Sequence, residues 1–292
     1  MLEPHNEILF PNEDGKDRGA ILPAGKLGAA YMYQANNGQF ASSTYYMNKH
    51  PEWVNAFNQE KKADAYFKKV WQPLLPEEAY AQSLPDGQEW YGKGGKLPKV
   101  IEGAANATTP DKLFYGELLR TPFADALTLD FARAAIKGEK LGQDSAPDIL
   151  SISLSSHDYI NHQYSAESRL SHDHLLQLDR LLQDFFHDLD VSVGKDSYVA
   201  VLTADHGFMP APEVSIKNGH SAGRIDRVAV IKSINKDLSQ RFGEGEWAKF
   251  SGESVLLNRE LIAKTGVNLD TLADEARRLL LSQKGFAYAY TR

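Results

Sequence analysis

Two pairs of an acidic residue and a histidine stand out in this 292-residue chain because their residue types can bind metal ions. Asp158 and His162 are four residues apart, so a helical turn would place both side chains on one face. Asp205 and His206 are adjacent and precede a glycine. Carboxylates and neutral imidazoles suit a zinc-type ion, and four such groups could hold one ion or a close pair of ions.

Each pair follows a run of apolar residues that predicts a buried strand. The first run spans residues 148–154 and the second spans residues 199–203. Between them, residues 168–189 carry leucine and phenylalanine at three- and four-residue steps, which predicts one amphipathic helix. Strand, helix and strand in this order predict a βαβ unit with parallel strands. We therefore expect both pairs at the carboxyl edge of one sheet, where open α/β sheets bind their ligands.

A simpler interpretation competes with the metal site. Aspartate and glycine are common in turns, so the sequence Asp-His-Gly at 205–207 can be a turn without a ligand. Asp158 and His162 can likewise be an acid near a helix start and a surface histidine. The position of both pairs just after strands that one helix joins favours the metal interpretation.

Three further polar residues, His172, Asp173 and His174, lie within the helix predicted for residues 168–189. Consecutive helical residues point about 100° apart, so these three side chains cannot converge on one ion. We interpret them as part of the polar face of the helix, together with Gln177, Asp184 and His187. His157, which precedes the first pair, has no assigned role.

The composition is that of a globular protein and excludes some functions. Apolar residues make up 42% and charged residues 24% of the chain, and the formal net charge is −7. An acidic balance argues against a general nucleic-acid binder, which usually has a basic face. The sequence contains no apolar stretch long enough for a membrane span and does not start like a signal peptide. The absence of cysteine excludes disulfides but leaves the compartment open.

Three regions follow from the pattern along the chain. Residues 1–120 are irregular and rich in aromatic side chains, and residues 121–210 contain a well-formed helix followed by the βαβ unit. Residues 211–292 predict a small α+β subdomain, with Asp226 as the N-cap of its first helix. The elements predicted there are helices to Phe242 and over 269–281, and strands over 254–258 and 286–290.

The sequence resembles a known family at several motifs. These are Ser-x-x-Asp-Tyr-x-x-His at 155–162, Leu-Asp at 178–179, Leu-Thr-Ala-Asp-His-Gly at 202–207, and the segments 15–25 and 42–47. They are similar to the alkaline phosphatase superfamily, in its type I phosphodiesterase/nucleotide pyrophosphatase branch, and to the phosphate-irrepressible type of alkaline phosphatase. The resemblance implies an α/β fold whose parallel sheet is flanked by helices. It also implies a cap inserted before the helix at 121–136 and a core in residues 121–210.

The same resemblance implies a two-zinc phosphomonoesterase that acts on small phosphate monoesters through a covalent phospho-enzyme, in the periplasm or outside the cell. Asp158 and His162 would hold the metal that faces the leaving group. Asp205 and His206 would hold the metal that activates the nucleophile. The substrate phosphoryl group would contact the two cations of the Lys-x-Arg motif in the region 1–120, which are Lys16 and Arg18.

The chain also departs from the family pattern. The family's threonine or serine nucleophile and an aspartate for the second metal should precede Lys16, and none of the fifteen residues before it fits. A further histidine ligand is expected far downstream. His220, in a turn-like setting close to the second pair, is interpreted as a turn residue. We therefore expect an internal segment of a phosphatase that lacks the nucleophile and has little activity by itself.

Three alternatives stay open at this point. One is a phosphodiesterase or nucleotide pyrophosphatase of the same branch, although the Lys-x-Arg motif favours monoesters. Another is an inactive metal-binding or interaction domain. The third is a relative of the sulfatases, against which the same motif argues.

Overall fold

The computed structural model describes residues 7–10, 18–92 and 94–291, with the backbone alone for residues 7–10 and 18. The chain divides into two compact units, Met1–Pro210 and Ala211–Arg292. None of the helices in these described ranges is both long enough and apolar enough to cross a membrane.

The first unit contains six α-helices and seven short strands within the described ranges. The helices are α1 (Arg18–Ala24), α2 (Glu52–Gln59), α3 (Lys112–Leu118), α4 (Pro122–Gly138), α5 (Ser156–Tyr164) and α6 (Arg169–Leu189). The strands are β1 (Glu7–Phe10), β2 (Ala29–Ala30), β3 (Met32–Gln34), β4 (Gln39–Ala41), β5 (Val70–Trp71), β6 (Lys99–Val100) and β7 (Ile149–Ile152).

Three strands form a parallel sheet in the order β2–β1–β7, and this sheet positions the first pair of ligand-type residues. The strand β7 lies within the first predicted apolar run, pairs with β1 in register Ile8 to Leu150, and leads directly into α5. Antiparallel pairs β3–β4 and β5–β6 lie outside this sheet. The predicted α/β class with a parallel sheet and flanking helices is confirmed.

The prediction of a second strand over residues 199–203 is wrong. These residues have no strand conformation, and Val199 is 90% and Leu202 88% exposed. A strand forms only where its backbone groups find a partner, and in the described part of the chain β7 pairs with β1 on one side while residues 199–203 do not pair with its other edge. Strand propensity alone therefore does not place this segment in the sheet.

The two longest helices of the first unit, α4 and α6, begin at capping residues that the sequence provides. Thr121 accepts the N–H of Phe123 at the start of α4, whose first residue is proline. Ser168 accepts the N–H of Ser171 at the start of α6. In the core, the ring of Phe131 on α4 stacks on Phe40 with the centroids 3.9 Å apart. Helix α4 is thus the central element against which α2 and α6 pack.

The polar residues of α6 do not all lie on an exposed face, so this interpretation was wrong for two of them. Asp173 and His174 are fully buried. Asp173 accepts hydrogen bonds from the segment that contains Trp71 and Tyr80, and His174 pairs with Asp125 of α4. Partners in distant segments compensate for the loss of water around both side chains.

The second unit contains the helices α7 (Pro212–Lys217), α8 (Arg227–Phe242), α9 (Arg259–Thr265) and α10 (Leu269–Leu281), with the hairpin strands β8 (Ala248–Ser251) and β9 (Ser254–Leu257). Asp226 caps α8 as expected, and α10 has the predicted bounds. Leu238, Trp247 and Leu272 form the centre of a separate core. The strand predicted for residues 286–290 is absent, since this stretch is irregular and its tyrosines are exposed.

Candidate metal centre

Helix α5 brings the first pair of ligand-type residues together. The strand β7 ends at Ile152, and α5 begins four residues later, so Asp158 and His162 lie on successive turns of one face. The Nε2 atom of His162 is 3.3 Å from Oδ1 of Asp158. The Asp158 side chain is only 14% exposed, whereas His162 is open to solvent. The predicted helical spacing of this pair is confirmed.

His206 joins this pair from the segment that follows residues 199–203. Its Nε2 atom also lies 3.3 Å from Oδ1 of Asp158. The Nδ1 atom of His206 is 2.9 Å from the carbonyl oxygen of Gly207. Because a carbonyl only accepts hydrogen bonds, Nδ1 is the donor in this contact, and Nε2 is the ring nitrogen that faces Asp158. The ring of Phe208 makes edge contacts with both imidazoles, with centroids 5.0 Å from His162 and 5.2 Å from His206.

The three side chains form a group that can hold a metal ion. One atom from each of Asp158, His162 and His206 lies within 4.8 Å of the other two. Ligands about 2.0–2.1 Å from a tetrahedral zinc lie about 3.3–3.4 Å from one another. The two separations of 3.3 Å at Asp158 agree with this spacing. The donor set of one carboxylate and two imidazoles also suits zinc, so the residues fit the metal that the resemblance implies.

The other predicted site residues are placed as follows. Asp205 is 80% exposed and lies outside the group, with its Oδ2 atom 3.7 Å from Nε2 of His206. Lys16 lies outside the described residues, and the backbone of Arg18 begins α1 without a described side chain. His220 lies in the second unit, where its N–H donates to the carbonyl of Ser215 after α7. The roles assigned to these residues remain predictions.

A buried chain of polar side chains next to this group was missed at the sequence level. Asp125 and His174 are both fully buried, with Oδ2 of Asp125 2.8 Å from Nε2 of His174. The Nδ1 atom of His174 lies 3.2 Å from Nδ1 of His157. Burial, and then the neighbouring His174, lowers the pKa of His157 to about 4. An acid among the apolar residues of α4 was the signal in the sequence that pointed to a buried partner.

Comparison with known proteins identifies the family. The family model for type I phosphodiesterase / nucleotide pyrophosphatase matches residues 23–284. The chain is 37% identical to a protein of Myroides odoratus named calcium-transporting ATPase, over 94% of this chain and 50% of that protein. It is 37% identical to alkaline phosphatase PhoV of Synechococcus elongatus, over 90% of this chain and 46% of that protein. It is 34% identical to alkaline phosphatase PafA of Elizabethkingia meningoseptica, over 94% of this chain and 50% of that protein.

The fold agrees with these relationships. The crystal structure of wild-type alkaline phosphatase PafA superposes with a TM-score of 0.79 at 31% identity, over 95% of this chain and 53% of that one. The structural match confirms the expected alkaline-phosphatase-like fold in incomplete form. The chain spans about half the length of the curated relatives that it matches. On the match to the family model, over residues 23–284, the chain belongs to the type I phosphodiesterase/nucleotide pyrophosphatase family of hydrolases.

Proposed function

We propose that this chain carries part of the active site of a zinc-dependent phosphomonoesterase, with Asp158, His162 and His206 as ligands of one zinc ion. The observation that carries the proposal is the spacing of 3.3 Å from one oxygen of Asp158 to an imidazole nitrogen on either side. The names of two relatives, both alkaline phosphatases, support the reaction class.

The three ligands differ in what they contribute. The largely buried carboxylate of Asp158 supplies the negative charge that offsets the charge of the cation. The hydrogen bond from His206 to the carbonyl of Gly207 fixes the ring so that Nε2 can bind. His162, the most exposed of the three, leaves its side of the site open to solvent and substrate. When bound, zinc would supply Lewis acidity towards a phosphate ester and activate an oxygen nucleophile.

The remaining site residues enter the proposal through the family resemblance. Lys16 and Arg18 would bind the non-bridging oxygens of the phosphoryl group, because a fork of guanidinium donors beside an ammonium suits its two negative charges. The resemblance implies a second zinc at Asp205 and His206; because His206 is assigned here to the zinc at Asp158, only Asp205 would be left for that second ion. We assign the hydroxyl that would form the covalent phospho-enzyme to no residue of this chain, so we expect little turnover from the chain alone. The location in the periplasm or outside the cell is part of the same proposal.

Zinc binding by the 292-residue chain tests the site directly. Titration against a chromophoric chelator should give one tight site, and Asp158→Ala should raise its Kd by at least about tenfold, because the only negative charge of the group is removed. His220→Ala is the control, since this exposed histidine is not one of the three side chains of the group and is expected to leave the Kd unchanged. Absence of zinc binding by the parent chain, or equal effects of the two substitutions, would refute the proposed centre.

A phosphodiesterase is the second candidate, since the family model that matches the chain bears this name. The two candidates differ in the ester that they hydrolyse faster. We would therefore measure the hydrolysis rates of an aryl phosphate and of a bis-aryl phosphate in the presence of zinc. The protein assayed would be this chain extended by the segments that make up the rest of its relatives. A faster monoester rate that Asp158→Ala abolishes supports the phosphomonoesterase. A faster diester rate supports the second candidate.

A further inference from the structure

The buried polar side chains behind α5 form a continuous path from the core to the metal group. Asp125 lies on α4, His174 on α6 and His157 on α5, immediately before Asp158. Asp125 uses both carboxylate oxygens along this path. Oδ2 meets Nε2 of His174 at 2.8 Å, and Oδ1 accepts the backbone N–H of Ser156 at 3.4 Å. One carboxylate thus contacts both the partner helix and the first residue of α5.

The second half of the path reaches the residue next to the ligand. Nδ1 of His174 and Nδ1 of His157 are 3.2 Å apart, and the two rings lie nearly parallel with their centroids 5.2 Å apart. His157 is held by this contact, and Ser156 is held by Asp125. Both peptide units that lead into Asp158 are therefore fixed from the core side of the helix.

The position of this path relative to the ligands suggests its role. Asp158 has to present one oxygen between two imidazoles, one of which comes from its own helix and the other from a segment about 50 residues further along. A small rotation of the first turn of α5 would carry that oxygen away from His206. Buried, hydrogen-bonded carboxylates and imidazoles prevent such rotations, because breaking them leaves charges or donors without water.

We propose that Asp125, His174 and His157 are positioning residues that hold the first turn of α5, and with it Asp158, in the orientation required for metal binding. The inference rests on the proposed zinc centre and adds to it a set of residues that does not contact the ion. Groups that orient a metal ligand typically contribute about 10- to 100-fold to metal affinity. Because this set acts through the backbone of Ser156 and His157, we expect an effect at the lower end, about tenfold.

Three substitutions in the full chain test the path and its order. Asp125→Ala removes both contacts of the carboxylate and should raise the zinc Kd about tenfold. His174→Gln keeps a donor near Asp125 but lacks the atom that meets His157, so a smaller increase is expected. Asp125→Asn keeps the shape and an acceptor for Ser156, but it replaces an acceptor with a donor facing His174. It should change the ¹⁵N shift of Nε2 of His174 in the metal-free protein.

Asp173→Asn is the matched control, because Asp173 is equally buried and adjacent to His174 on α6, but its four described hydrogen bonds all go to residues outside α5. It should lower the melting temperature and change the zinc Kd by less than about twofold. An unchanged Kd in both Asp125→Ala and His174→Gln, or an equal increase in the Asp173→Asn control, overturns the positioning role.

A metal-free measurement separates this inference from the proposed function. Amide hydrogen exchange at residues 156–158 should be faster in Asp125→Ala than in the parent and unchanged in Asp173→Asn, since only the former loosens the start of α5. If the parent fails to bind zinc, the proposed function is wrong, whatever the exchange shows. If the parent binds zinc but exchange and affinity are both insensitive to Asp125, the positioning role alone is wrong.

Discussion

Replacement of Asp173 by alanine should be among the most destabilising changes in the first unit. The carboxylate is fully buried on α6 and accepts four hydrogen bonds. The donors are Nε1 of Trp71 at 2.5 Å, the backbone N–H of Leu74 at 2.6 Å, the hydroxyl of Tyr80 at 2.5 Å and Nε2 of Gln177 at 2.7 Å. Three of the four come from the segment 71–80, so this one side chain joins that segment to α6.

The size of the effect follows from the donors that the substitution leaves behind. Trp71 and Tyr80 are almost completely buried, and each orphaned donor costs about 1–3 kcal/mol. Gln177 still donates to the carbonyl of Gln72 at 3.1 Å, so it contributes little to the loss of stability. Removal of a buried charge offsets part of the cost. We therefore expect Asp173→Ala to lower the free energy of unfolding by about 3–5 kcal/mol.

A double-mutant cycle with Trp71→Phe isolates the contact. Phenylalanine removes the indole donor, so in the Asp173→Ala background this second change should cost about 1–3 kcal/mol less than in the parent. Urea unfolding followed by circular dichroism measures both differences. Strictly additive effects would show that the bond between Asp173 and Trp71 contributes nothing to stability and would refute the reasoning.

Two smaller changes test local features of the first unit by urea unfolding. Ser168→Ala removes the acceptor that caps α6 and should cost about 1 kcal/mol, whereas an unchanged midpoint would contradict the capping role. Gly38→Ala should cost about 2–4 kcal/mol, because the residue has a φ of 72° and an added Cβ would overlap the ring of Tyr115. Gly87→Ala is its control, since it has a φ of 73° and open space around the new methyl group, so only the backbone strain of about 1–2 kcal/mol should appear.

The sequence predicted the features that depend on local signals. Capping residues and apolar periodicity placed α4, α6, α8 and α10 close to their observed bounds. The four-residue spacing of Asp158 and His162 was enough to place both on one face of α5. Such features depend on neighbours within one or two helical turns, and a single sequence contains that information.

The features that the sequence did not predict depend on distant partners. Asp173 and His174 are residue types that usually lie on a solvated helix face. Their burial is favourable because Asp173 accepts hydrogen bonds from segment 71–80 and His174 pairs with the carboxylate of Asp125. Residues 199–203 have a strong strand pattern but lie exposed, because a strand needs a neighbour that local sequence cannot specify. Asp205 is adjacent to His206 in sequence but lies outside the metal group, because its position in the chain does not decide which side chain faces Asp158.

The exposed run at residues 199–202 also affects how the chain behaves in concentrated solution. It contains two valines and a leucine, has neither proline nor charge, and lies exposed, while β7 is the outermost strand of its sheet in the described chain. Short apolar segments and open strand edges of this kind are templates for pairing between molecules and for aggregation. Self-association through this run would compete with the approach of His206 to Asp158, so the apparent zinc affinity would fall as the protein concentration rises.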